Sequence, residues 1–147
     1  MAITLIAICA AVLLIVLWTK RTRDRKELEQ HSITPEALHS LLASNPDIHV
    51  YDVRQPLDLF VDAEIIPGAT RLAPKDVLEN PSLIPSDIDS IIYCTCPSDK
   101  TSRAILQQAL GLHFFRIKFL KGGLGSWKAK GYPVEPYEEP IQLDTGT

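Results

Sequence analysis

Two cysteines, Cys94 and Cys96, close the apolar run Ile91-Ile92-Tyr93-Cys94-Thr95-Cys96, and a short polar bend leads from them into a helical pattern beginning near Thr101. A thiol at the end of a buried strand, just before a helix N-terminus, meets converging backbone N–H groups and the positive end of a helix dipole. Both favour thiolate over thiol. A charge at a helix end gains ~0.3–1 kcal/mol when exposed and up to ~2 kcal/mol when partly buried. One pKa unit is ~1.4 kcal/mol, so two such contributions bring a thiol of ordinary pKa ~8.5 toward ionisation near neutrality. The chemistry indicated is that of a reactive sulfur nucleophile.

Other uses of these and nearby residues are less well supported. The bland alternative makes both cysteines small buried residues that finish the strand. A disulfide between them would close a strained ring across one intervening residue. Zinc would want a second ligand pair at finger-like spacing, whereas His31, His39, His49 and His113 are scattered, so neither a metal nor a cofactor is expected. Gly122, Gly123 and Gly125 lack the Lys-Ser or Lys-Thr of a phosphate loop and are expected to allow close chain approach beside the cysteine bend. Asp52 is expected to cap the helix that follows it, and Arg54 to pair with a carboxylate at the sheet edge, both structural roles. A phosphatase would want an arginine six positions after the nucleophile; Ser102 stands there counting from Cys96 and Lys100 counting from Cys94.

The elements that must position these residues alternate between strand and helix patterns. Thr34 suits a helix N-cap and Pro35 the first helical position, with Leu38, Leu41 and Leu42 on one face. A strand over His49 to Val53 precedes a helix over Pro56 to Ala63 whose Leu57, Phe60 and Val61 are expected to point inward. A short strand around Thr70 to Leu72, a helical turn over Pro74 to Glu79 and a loop over Pro81 to Asp89 follow. Ile91 to Cys94 is a strand of the kind buried on both faces. A helix over Thr101 to Leu110, a strand over Phe115 to Leu120 and a helix over Gly123 to Lys130 complete the pattern, with Trp127 and Tyr132 as packing residues. Such alternation implies βαβ units and a mostly parallel sheet between helices, with its ligand site at the carboxyl ends of the strands, where Cys94 and Cys96 lie.

From Ala2 to Trp18 every residue except Thr4 is apolar or aromatic, and at ~1.5 Å per residue this stretch spans about 26 Å of helix. The stretch has no basic residue before it and no small-x-small cleavage site after it, which favours a retained anchor over a signal peptide. The basic run Lys20 to Lys26 places the domain on the cytoplasmic side and serves the lipid interface rather than catalysis. With a net charge of −3 and no other dense basic run, nucleic acid is excluded as a partner. Three cysteines, one of them Cys9 within the anchor, are too few for an extracellular disulfide framework. The expected organisation is a transmembrane anchor over 1–19, a basic linker or helix continuation over 20–32, one domain over 33–136 and a flexible tail over 137–147, with looseness setting in from about Glu135.

The stretch from about Ile33 to Pro136 resembles the rhodanese-like family of single-domain sulfurtransferases. The landmarks are Ile33-Thr34-Pro35-Glu36, Tyr51-Asp52-Val53-Arg54, Ile66-Pro67-Gly68-Ala69, Tyr93-Cys94, and Gly122-Gly123 followed by Trp127 and Gly131-Tyr132-Pro133-Val134. The resemblance implies a nucleophilic cysteine at the head of a loop of about six residues, carrying sulfane sulfur as a persulfide from a small sulfur donor to a thiol or protein acceptor. Counting from Cys96 gives Cys96-Pro97-Ser98-Asp99-Lys100-Thr101, six residues, and favours Cys96; counting from Cys94 keeps the Tyr-Cys pair with a loop two residues longer. Pro97, Ser98, Asp99, Lys100 and Thr101 then form the donor-binding bend, with Lys100 and Ser98 orienting an anionic donor. Many relatives carry Gly and Arg in this loop; here the first arginine is Arg103, inside the helix. The alternative is a domain that keeps the fold and recruits a partner at the membrane.

Overall fold

The computed structural model describes residues 1–95 and 100–141, the side chain of Ala2 excepted. The chain divides into two compact units, Met1–His31 and Ser32–Thr147. The first is a single helix, α1 (Ala2–Gln30), so the charged residues after Trp18 continue the apolar helix rather than forming a separate linker. It is long and apolar enough to cross a membrane, with mean hydropathy 2.4 over its most apolar window.

In the second unit the order is β1 (Ser32–Ile33), α2 (Pro35–Ser44), β2 (His49–Asp52), α3 (Pro56–Val61), β3 (Glu64–Ile65), β4 (Thr70–Arg71), α4 (Pro74–Glu79), a 3-10 turn at Pro81–Leu83, β5 (Ser90–Tyr93), α5 (Lys100–Gly111), β6 (Ile117–Leu120), α6 (Gly123–Ala129) and β7 (Glu135–Pro136). Five strands form a parallel sheet in the order β1-β6-β5-β2-β4. All of its strands therefore start at one edge and end at the other. β5 is central, and every residue in it is buried, the polar Ser90 as well as the apolar Ile91, Ile92 and Tyr93. Thr34 accepts from the Ala37 N–H at 3.3 Å, which secures the start of α2, and Pro35 occupies the first turn.

One face of the sheet packs Val50, Ile91, Tyr93 and Leu120 against Leu38 of α2 and Leu124 and Trp127 of α6. The opposite face presents Tyr51, Ile92 and Phe119 in register across three strands, and α5 packs there, its Arg103 guanidinium 5.1 Å from the centre of the Phe119 ring.

Two expectations are corrected. Leu57, Phe60 and Val61 were expected to face inward, yet they are 70%, 70% and 86% exposed, and Leu59 alone reaches the core. The reason is tertiary: Arg54 donates to the carbonyls of Asp62 and Glu64, each at 2.8 Å, and this fixes the phase of a helix too short to choose its own. Glu135 and Pro136, expected in a loose tail, pair antiparallel with Glu64–Ile65, and the Tyr137 N–H donates to Ala63 O at 2.6 Å. A two-residue strand has no periodicity to read, so this second sheet leaves no mark in the sequence.

The exposures around α3 lead to opposite expectations for neighbouring residues. Phe60→Ser changes stability by no more than about 0.5 kcal/mol, as surface substitutions do, whereas Leu59→Ala costs about 2–5 kcal/mol. Urea unfolding of both variants checks the assignment; equal losses would return Phe60 to the core.

Candidate functional site

The end of β5 is held from the side by the turn into α6. The Leu124 N–H donates to the Cys94 carbonyl at 3.1 Å. Gly123 lies so close that a Cβ there would fall 1.7 Å from that carbonyl oxygen, and its φ of +57° is left-handed. Gly122 is also left-handed, at +72°. Gly123 therefore packs against the backbone of Cys94, whereas the space beside Gly122 is filled by Ser126 and that beside Gly125 is open.

Cys94 is 1% exposed. Cys96, Pro97, Ser98 and Asp99, four of the residues proposed from the sequence, lie outside the described residues. Beyond them Lys100 is exposed and Thr101 half-buried at the start of α5. One turn in, Ser102 is fully buried, and among the described residues neither its hydroxyl nor the Nε of Arg103 has a hydrogen-bond partner. Among the described residues no group of three or more His, Cys, Asp or Glu gathers as a metal site.

On β2, paired with β5 through Asp52 and Tyr93, lies a buried polar network. Asp52 and Arg54 both have fully buried side chains. Arg54 Nε donates to both carboxylate oxygens, at 3.0 and 2.9 Å, and Nη2 donates to Oδ2 at 2.6 Å. The Arg54 N–H adds a bond to Oδ1 at 3.0 Å. Tyr93 donates its hydroxyl to Asp52 Oδ2 and accepts the Ile66 N–H, each at 3.2 Å.

Asp52 therefore does not cap α3 as expected: Gln55 holds the cap position, without a side-chain bond, because the carboxylate is taken up by Arg54 and Tyr93. The carboxylate partner expected for Arg54 is Asp52 itself. Burial alone would lower the Arg54 pKa, but the hydrogen-bonded Asp52 carboxylate outweighs it and the pKa is raised. Burial first, and then the neighbouring carboxylate, drives the Tyr93 pKa far above its ordinary value. The phenol stays protonated at any physiological pH and keeps donating. Tyr93 read in the sequence as part of an apolar strand; the signal that could have marked it is its register opposite Asp52.

The rhodanese-like domain family model matches residues 34–130. No match was found among curated proteins. Among solved structures, a rhodanese-related protein from Thermoplasma volcanium is 23% identical, with a TM-score of 0.59 over 74% of this chain and 99% of its own. A protein from Rhodopseudomonas palustris described as a possible tyrosine phosphatase is 21% identical, with a TM-score of 0.63 over 78% of this chain and 89% of its own. A thiosulfate sulfurtransferase from Pseudomonas aeruginosa is 22% identical, with a TM-score of 0.56 over 71% of this chain but only 19% of its own.

Two substitutions test the supports of the site. Arg54→Met strands the Asp52 charge in the core and costs about 3–5 kcal/mol; Asp52→Leu combined with Arg54→Met recovers most of that loss. Chemical denaturation of the single and double variants measures it. Gly123→Ala drives a methyl group into the Cys94 carbonyl and a non-glycine residue into a left-handed conformation, so it costs about 2–5 kcal/mol. A Gly123→Ala melting temperature equal to that of the parent would mean that the turn does not clamp β5.

Proposed function

The chain belongs to the rhodanese-like domain family, and from that premise we propose that it is a membrane-anchored sulfurtransferase carrying sulfane sulfur as a persulfide on Cys96. The burial of Cys94 carries this reading. At 1% exposure its thiol is closed to a donor, which favours Cys96, with three residues between it and α5, as the nucleophile. The site sits at the carboxyl ends of parallel strands, where ligands of such sheets bind.

The Cys96 thiolate attacks the outer sulfur of a donor. A new S–S bond forms as the donor's own bond to that sulfur breaks, and the leaving group departs with the electron pair, as sulfite from thiosulfate or as a thiolate from a persulfide. An acceptor thiolate then takes the terminal sulfur and returns Cys96 to a thiolate. Atoms and electrons balance without a cofactor. Amides at the N-terminus of α5 stabilise the charge on sulfur, and Lys100 and Ser98 orient an anionic donor. Helix α1 holds the enzyme at the membrane, with its domain in the cytoplasm.

A second reading, a module that recruits a protein partner, draws support from the exposed Leu57, Phe60 and Val61 on α3, which leaves β2 at the same sheet edge as the cysteine bend.

Mass spectrometry after incubation with a sulfur donor decides between the readings. The parent and Cys94→Ser gain one sulfur atom, and Cys96→Ser gains none. Labelling at Cys94 alone would exchange the nucleophile. A parent that stays unmodified with reduced thiols would leave the module.

A further inference from the structure

We propose that the cleft between β4 and residues 135–139 binds an α-amino carboxylate, either a free amino acid or the amino-acid head of a larger molecule, with Arg71 holding the carboxylate. This site goes beyond the sulfur chemistry proposed above and does not depend on it.

Arg71 ends β4 opposite Asp52 of β2, which is itself opposite Tyr93 of β5, so it stands at the carboxyl edge of the parallel sheet, where such sheets bind ligands. Its guanidinium is half-buried and fixed: Nη1 donates to the carbonyls of Asp52 and Leu72, at 3.0 and 2.7 Å. Nε and Nη2 have no hydrogen-bond partner among the described residues. These two nitrogens share one side of the guanidinium and present parallel N–H donors that match the two oxygens of a carboxylate. Arg54 uses that same side, through Nε and Nη2, to hold the Asp52 carboxylate. In Arg71 it is held in place and unbonded. Burial draws the Arg71 charge out of water and lowers its pKa, so an anion on that side meets a cation that solvent screens less than at the surface.

The space next to Arg71 selects which anion fits. A cleft of about 570 Å³ is lined in part by Thr70, Arg71 and Tyr137 together with Glu135, Glu138 and Glu139. Glu135 accepts the Gly68 N–H at 3.1 Å, and Glu139 accepts the Tyr137 hydroxyl at 3.5 Å. Among the described residues none of the three glutamates pairs with Arg71, and Glu138 and Glu139 are exposed. A simple anion entering this cleft meets three carboxylates that oppose it. A ligand with an ammonium beside its carboxylate turns the one toward Glu138 and Glu139 while the other takes Arg71. An α-amino carboxylate carries both charges on a single carbon. A second cleft, of about 220 Å³, shares Arg71, Tyr137 and Glu139 and adds Asp76 with the apolar Leu59, Ala73, Pro140 and Ile141, so an apolar side chain on the same carbon also has a place.

Equilibrium dialysis of the full chain in neutral detergent micelles tests the site with four probes. They are L-leucine, isocaproate (leucine without its amino group), isoamylamine (leucine without its carboxylate) and S-methylglutathione, whose γ-glutamyl end carries the α-amino carboxylate and whose sulfur is blocked. L-Leucine or S-methylglutathione is expected to bind at least about tenfold more tightly than isocaproate or isoamylamine. Binding of leucine marks a free amino acid as the ligand, and binding of S-methylglutathione alone marks the head of a larger molecule. Arg71→Lys keeps the charge but loses the paired donors, and is expected to weaken binding about tenfold. Because Arg71 also holds two carbonyls, Glu138→Gln combined with Glu139→Gln gives a second reading on exposed residues, with a loss of similar size expected. Equal binding of all four probes, no saturable binding of either zwitterion, or a double variant that binds as the parent does would overturn the assignment. Cys96→Ser is expected to bind as the parent does, so a failure of the sulfur chemistry leaves this site standing, and a failure here leaves the sulfur chemistry untouched.

Discussion

The carboxylate of Asp52 and the guanidinium of Arg54 meet with no solvent on either, and the cysteine edge of the domain is built around that contact. Charges so deeply buried are tolerated only when fully paired and hydrogen-bonded, and this pair also binds Tyr93 and the carbonyls that bound α3 and β3. The pair therefore fixes more than itself. It locks the end of β2 to the end of β5, sets the phase of α3, and leads the chain into the small antiparallel sheet.

Cys94 is confined from the other side by a contact that only glycine permits. The carbonyl of Cys94 and the backbone of Gly123 are too close for any side chain between them, so the start of α6 is fixed against the end of β5. Ion pair and glycine turn act on adjacent residues, Tyr93 and Cys94, and together they fix where the chain leaves β5.

How much of this could be read in advance varied by residue. The capped start of α2 was legible because Thr34 and Pro35 carry local chemistry that works in any context. The buried strand β5 was legible because the apolar run Ile91 to Cys94, three residues of which lie in the strand, leaves it no solvent-facing side. The inward face of α3 was misread: Leu57, Leu59, Phe60 and Val61 offer apolar residues in several directions, and the bonds from Arg54 to Asp62 and Glu64 decide which one turns in. Asp52 was misread as a cap because capping is the nearest use of a carboxylate before a helix, whereas its partners are a side chain two residues on and a hydroxyl 41 residues away.

The sequence by itself determined the alternation of strands and helices and the long apolar N-terminal helix, because each follows from interactions between residues close in the chain. The tertiary structure alone decided which face of α3 is buried, which partners hold Asp52, and that Gly123 packs against the Cys94 carbonyl. Those outcomes depend on contacts between distant segments, and such contacts become definite only when the strands have taken their places in the sheet.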